Sequence, residues 1–369
     1  MLGYSVFLPS YSVGENCYKE IPYVTRKFGT RAVVIGGKTA MSKAKPELEA
    51  AIKDSDVEIL DYIWYGGDSS YENVEMLKNN PLVTGADMLF GVGGGRACDT
   101  VKTLADMLDK KPFFTFPTLA SNCAACTAIT VMYNPDGSFK EYYYMHGPSY
   151  HTFINTKIIA DSPEKLLWAG IGDALSKECE VLYAGRDKFM YHTPLMGQCI
   201  AKICTTPLIE YGAKALEACR SNKPDFALEQ VALDIIISTG IVSNFATHEN
   251  QPDPADNYYY NSSLAHCVYY GASTLPQCER HLHGEIVAFG VLCLLTYDGQ
   301  LEERDRIMKF NKSVGLPVTL DELEITHDDL TKIADKAASV VEWTYVPGTP
   351  SKEKFIQAMI DTDKAGKNM

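Results

Sequence analysis

The chain has 369 residues, 46% of them hydrophobic, and a formal charge of −13. That length suits two domains with a sizeable buried core, and the acidic balance argues against nucleic acid or an anionic membrane as a partner. The eleven cysteines are odd in number and scattered from Cys17 to Cys293, so they read as free thiols of a reducing, cytoplasmic compartment and not as a disulfide framework.

The opening M-L-G-Y-S-V-F-L-P-S lacks a basic stretch followed by a long apolar run, so no signal peptide is expected. Strand and helix signals then alternate. R-A-V-V-I-G-G (31–37) is an apolar β run ending in glycines. T-A-M-S-K-A-K-P-E-L-E-A-A-I-K (39–53) has helical spacing, interrupted by Pro46. V-E-I-L-D-Y-I-W-Y (57–65) is β-like and Y-E-N-V-E-M-L-K (71–78) helical. A-D-M-L-F-G-V-G-G-G (86–95) is a strand that delivers three glycines to a helix over 96–108, and P-F-F-T-F-P-T (112–118) is a further strand. Such alternation predicts a parallel sheet covered by helices.

The segment S-N-C-A-A-C (121–126) holds Cys123 and Cys126 in C-x-x-C spacing. It admits a redox pair, half of a zinc site, or a cysteine placed in a site for another reason. A second C-x-x-C is missing, and the β-rich T-A-I-T-V-M-Y that follows is unlike the helix a redox motif requires. A β-hairpin is predicted over 127–145 around P-D-G-S, then a β run at F-I-N-T-K-I-I-A (153–160). Ser162 is placed to cap a helix starting at Pro163, and from there the pattern is helical almost to the end. The domain boundary falls here, giving 1–162 as an α/β unit and 163–369 as an all-α unit. The longest apolar run noted, at 286–297, is too short for a membrane span. The proline- and tyrosine-rich 250–263 reads as a connection.

Two stretches carry chemistry. In G-V-G-G-G-R-A-C-D-T-V-K (91–102), Gly93, Gly94 and Gly95 lead from a strand into a helix N-terminus, where backbone amides can approach a pyrophosphate. The bland alternative is a packed glycine turn, since Cys98 stands where a dinucleotide fingerprint would have its last glycine. The second is dispersed: Asp173 in G-I-G-D-A-L-S-K-E-C-E, read as the start of a helix, His266 in S-S-L-A-H-C-V-Y-Y-G, and His283 in H-L-H-G-E-I-V-A-F-G. Gly271 and Pro276 separate the histidines, so they come from two helices. One carboxylate and two imidazoles suit Zn²⁺ or Fe²⁺ with positions left open. Singly, Asp173 could be a helix cap and the histidines core residues.

Together G-G-G-R-A-C-D-T-V-K, F-P-T-L-A-S, G-D-A-L-S-K-x-x-E, the His266 segment and H-G-E-I-V-A-F-G resemble the metal-dependent (iron-containing, group III) alcohol dehydrogenases, most closely the glycerol dehydrogenase-like branch. The resemblance implies an α/β dinucleotide-binding domain followed by a helical one, the fold shared with dehydroquinate synthase. It implies an oxidoreductase using NAD or NADP and one divalent metal, zinc or iron. It assigns Asp173, His266 and His283 as ligands and catalytic groups. It places Gly93, Gly94, Gly95 and Asp99 at the pyrophosphate, Thr118 and Ser121 near the nicotinamide, and Thr127, Ile129 and Tyr133 along the cofactor. Iron-type members carry a fourth ligand, a histidine, where this chain has Lys177, so a three-ligand zinc site is expected. Gly37 and Lys38 stand where NAD-preferring members often carry an aspartate, which leaves NADP open. Cys123 replaces an aspartate that lies beside the substrate in glycerol dehydrogenases, which sets glycerol itself aside. The implied partners are a small alcohol or carbonyl compound and further copies of the chain in a homo-oligomer. The alternatives are a dehydroquinate synthase-type cyclase, whose basic residues the stretch before His266 lacks, and a non-catalytic nucleotide sensor.

Overall fold

The computed structural model describes residues 5–249 and 257–369. The chain divides into two compact units, one of residues 1–166 and 217–244, the other of 167–216 and 245–369. The sequence boundary after 162 thus precedes the first break by four residues, and a stretch read as part of the helical half belongs with the sheet.

The first unit is built on six parallel strands: β1 (Ser10–Val13), β2 (Arg31–Gly36), β3 (Glu58–Trp64), β4 (Met88–Gly93), β5 (Phe113–Pro117) and β8 (His151–Ile154), in the spatial order β1-β8-β5-β4-β2-β3. Strands β6 (Ile129–Tyr133) and β7 (Phe139–Tyr144) form the expected antiparallel hairpin, outside that sheet. Both faces of its central strands are covered, which explains the continuous apolar runs of β2, β4 and β5. Alternate residues divide between two cores. Val34, Phe90, Phe114 and Phe153 pack on one side, and Val33, Ile35, Leu89 and Phe113 on the other. From β2 the chain goes outward to β3, then returns across to β4. The carboxyl ends of β2 and β4 therefore flank the point where strand order reverses, the usual ligand crevice of such sheets.

Several elements differ from the sequence reading, each for a local reason. The helix Lys38–Ile52 runs through Pro46. Pro46 and Ser42 both lie on its exposed side, where water can replace the missing N–H. The run 153–160 is only briefly a strand: Asn155 accepts from the amides of Lys157 and Ile158 and starts a helix at Thr156. The next helix begins at Glu164, and the Ser162 hydroxyl is buried without a hydrogen bond instead of capping it. Residues 226–246 form a continuous helical run longer than the apolar stretch singled out from sequence. It has the length and composition of a membrane span, yet 67% of its most apolar window is buried, the condition of a core helix.

The second unit is helical, apart from the short pair β9 (Thr247–His248) and β10 (Tyr258–Tyr259). Residues 250–256 of the expected connection lie outside the described residues. Its central helix, His283–Asp298, is apolar almost all round and buries Ile286, Phe289 and Leu292 among others. The helix Leu264–Ala272 packs directly against it.

Candidate metal centre and cofactor loop

In the second unit, glycines bring the three polar residues together. Asp173 lies in the last turn of the helix Glu164–Ala174, not at a helix start as read from sequence, and the helix Ser176–Ala184 follows at once. A methyl group built on Gly284 would sit 1.8 Å from the Ala169 carbonyl oxygen, and one on Gly172 would sit 2.3 Å from that of Gly284. The backbones of the Asp173 and His283 helices therefore touch, which only glycine allows. Gly290 does the same with Ala265, 2.4 Å from its carbonyl oxygen, and so draws in the His266 helix. The glycines of G-I-G-D, H-G-E and A-F-G are thus the packing half of motifs whose polar half is chemical.

One ligand atom each from Asp173, His266 and His283 lies within 4.8 Å of the others, the only such group among the described residues. His283 Nε2 is 3.1 Å from Asp173 Oδ1, and His266 Nε2 is 3.7 Å from the same oxygen. Glu180, fully buried, accepts at Oε1 from the backbone amides of Ser263 (2.7 Å) and His266 (3.0 Å), while Oε2 meets His266 Nδ1 at 2.6 Å. This glutamate closes the motif G-D-A-L-S-K-x-x-E, and its role is not evident from residue type alone. The available signal was its spacing, two helical turns beyond Asp173. Lys177 is buried and donates to Asn261 Oδ1 at 2.5 Å. Burial opposes ionisation of Asp173, but His283, His266 and Lys177 outweigh it and hold its carboxyl below the usual range. Burial likewise works against a charged His266, yet Glu180 and Asp173 raise its pKa above the ordinary value. Two nitrogens, an oxygen and a carboxylate behind one imidazole fit Zn²⁺ or Fe²⁺.

In the first unit the glycine loop stands at the carboxyl end of β4. Gly93 has φ +151°, and Gly94 caps the helix Gly95–Met107 with no side-chain acceptor for the first amides. Those uncapped amides fit a phosphate. The segment after β5 lies over the loop: Thr118 N donates to Gly93 O (3.2 Å), Leu119 faces Gly94, and the Asn122 amide faces Gly95, with Ser121 beside it. Gly37 N donates to Val92 O across the β2–β4 crevice (3.3 Å), and the Lys38 ammonium lies 4.7 Å from the centre of the Trp64 ring. These residues form one neighbourhood.

Asp99 is differently placed. It is buried, with Oδ1 accepting from Lys102 Nζ (2.8 Å) and Oδ2 from Val131 N (3.1 Å), so it braces the loop's helix against β6. Lys102, also fully buried, donates further to Ala124 O, Thr127 Oγ1 and Ile129 O. Thr127 and Ile129 thus meet Asp99 through a lysine to which sequence reading gave no role. Its signal was a lone cation on an apolar helix face. Tyr133 lies under the Arg96 guanidinium at 4.6 Å.

The two cysteines of C-x-x-C part company. Both are free thiols on a single 3₁₀ turn. Cys126 is buried and donates to the Ile236 carbonyl where that helix widens to π geometry. A methyl group on Gly240 would lie 2.1 Å from its sulfur. Cys126 is therefore a packing thiol. Cys123 is only partly buried.

Residues 9–151 match the family model for iron-containing alcohol dehydrogenases. A glycerol dehydrogenase from Thermotoga maritima is 31% identical over 314 residues, covering 82% of this chain and 81% of that protein. One from Escherichia coli is 28% identical over 369 residues, covering 96% and 95%. The crystal structure of glycerol dehydrogenase from Schizosaccharomyces pombe, 22% identical, superposes with a TM-score of 0.85 over 99% of this chain and 92% of that one. The chain belongs to the iron-containing alcohol dehydrogenase family and is an oxidoreductase of its glycerol dehydrogenase-like branch.

Proposed function

We propose that the protein interconverts a small alcohol and its carbonyl compound, with Asp173, His266 and His283 holding one divalent ion, zinc by preference, and the Gly93–Gly95 loop receiving the pyrophosphate of NAD(H) or NADP(H). The observation that carries this reading is the triad itself, three ligand atoms within 4.8 Å with one imidazole already seated on a buried carboxylate. When bound, the ion supplies Lewis acidity toward the substrate hydroxyl and the nicotinamide accepts or returns hydride.

The chain's own contribution is placement. Glycine contacts fix the triad, the uncapped amides of the helix Gly95–Met107 would receive the phosphates, and the segment 118–122 covers the loop. Lys177 in the position of a fourth histidine favours the three-ligand site. Gly37 and Lys38 present no carboxylate to a ribose 2′-phosphate, so NADPH is accepted alongside NADH. Cys123, in the place of an aspartate beside the substrate, removes an ionic acceptor for polyol hydroxyls and favours less hydroxylated substrates than glycerol.

The test is bound-metal analysis of the wild type and of His266→Ala and His283→Ala. A panel of diols, polyols, aldehydes and hydroxyketones is then read at the nicotinamide absorbance with both cofactors. Both variants should lose metal and activity while keeping the fold. Wild-type metal stoichiometry in both would overturn the triad.

A further inference from the structure

The two imidazoles of the triad are held in unlike ways. His283 is 41% exposed at its side chain, lies edge-on to the Tyr269 ring (4.1 Å between centroids), and has no hydrogen-bond partner among the described residues other than Asp173. His266 is enclosed, and its Nδ1 meets Glu180 Oε2 at 2.6 Å. The other oxygen of Glu180 is filled by two backbone N–H groups, Ser263 and His266 itself, which can only donate. A carboxylate whose one oxygen takes two donors offers its second oxygen as an acceptor too. His266 must then carry its hydrogen on Nδ1. Its Nε2 lone pair is left facing Asp173 at 3.7 Å, too far for a good hydrogen bond and open to an ion.

The geometry points to Glu180 as a positioning residue of the metal centre, fixing His266 as the Nδ1–H tautomer so that Nε2 is presented as a ligand before any metal arrives. This rests on the triad reading above. It also divides the labour between the histidines: His266 is pre-set, and His283, the more exposed, completes the site. The same carboxylate ties the first turn of the helix Leu264–Ala272 to the helix Ser176–Ala184, so ring orientation and helix placement are set by one group.

Glu180→Gln separates this role from mere packing. The glutamine has the same shape, and the two backbone donors require its carbonyl oxygen to stay where Oε1 is. Its amide nitrogen then faces His266 Nδ1 as a donor. His266 can satisfy it only by moving its hydrogen to Nε2, the atom the ion needs. Zinc affinity, measured by competition with a chromophoric chelator, should fall about 10–100-fold. The thermal midpoint of the metal-free variant should stay within a few degrees of wild type. Read at a pH high enough to keep the ring neutral, the imidazole ¹⁵N shifts of His266 in the metal-free proteins should report Nδ1–H in wild type and Nε2–H in the variant. Zinc binding by Glu180→Gln as tight as wild type would overturn the assignment. So would an Nε2–H tautomer in metal-free wild type, a readout that needs no variant to fold. If wild type itself binds no zinc, the triad reading fails, while the tautomer measurement still decides the role of Glu180.

Discussion

Replacing Gly284 by alanine tests whether glycine contacts assemble the proposed metal centre. The added methyl would stand 1.8 Å from the Ala169 carbonyl oxygen, where ordinary contact begins near 3.4 Å, and 2.9 Å from the Asp173 amide nitrogen. Both neighbours are backbone, so no side chain can turn away. The helices Glu164–Ala174 and His283–Asp298 must separate by about 1.5 Å, and His283 and Asp173 ride on the parts that move. Metal sites tolerate roughly 0.2 Å in ligand distance. Overpacking costs about 1–3 kcal/mol, partly offset by the roughly 1 kcal/mol that alanine gains over glycine in a helix. The expected result is a modest fall in thermal stability with at least a hundredfold loss of zinc affinity by chelator competition. Gly85→Ala, where nothing lies within 4 Å, is the control and should change neither. Zinc binding by Gly284→Ala within threefold of wild type would refute the reasoning.

Gly37→Asp should fit, since a methyl group there meets nothing closer than 3.8 Å, and should shift preference toward NADH by about 1–3 kcal/mol, as read from the ratio of kcat/KM values. A parent enzyme that already rejects NADPH, or a variant whose ratio does not move, would sink this. Iodoacetamide should label Cys123, partly buried, and Cys199, exposed, ahead of the nine buried cysteines. Bound cofactor should protect Cys123 alone, and peptide mapping that shows its labelling slow and indifferent to cofactor would make it a packing thiol. Burial lowers the pKa of His151 from the ordinary 6.5 to about 4, its ring nitrogens facing the hydroxyls of Ser10 and Ser12. The unfolded chain therefore binds the proton first. Stability is full above pH 6.5 and falls by about 2–3 kcal/mol toward pH 4. His151→Gln should flatten that part of the thermal-midpoint profile, and an unchanged slope would count against it.

Much of the molecule was legible in the sequence because short-range physics dictates it. The strands β2, β4 and β5 are apolar runs ended by glycine or proline, the pattern of strands buried on both faces. The glycine loop and the hairpin announce themselves by residue type and spacing, and the three residues of the proposed metal site by the family resemblance of the segments that carry them. What the sequence leaves open is decided by partners distant along the chain. A run such as 153–160 reads equally as strand or helix until Asn155 caps the helix. Cys123 and Cys126 look like a pair until the Ile236 carbonyl claims one of them. The sequence does not say what Asp99 touches, and the fold sets Lys102 and Val131 against its two oxygens. Lys102 shows in the sequence only as a charge on an apolar helix face and Glu180 only by its spacing from Asp173, because their roles come from burial and from partners most of which lie more than twenty residues away. A buried charge must be matched by groups that only the folded chain brings together, and those matches are what the tertiary structure decides.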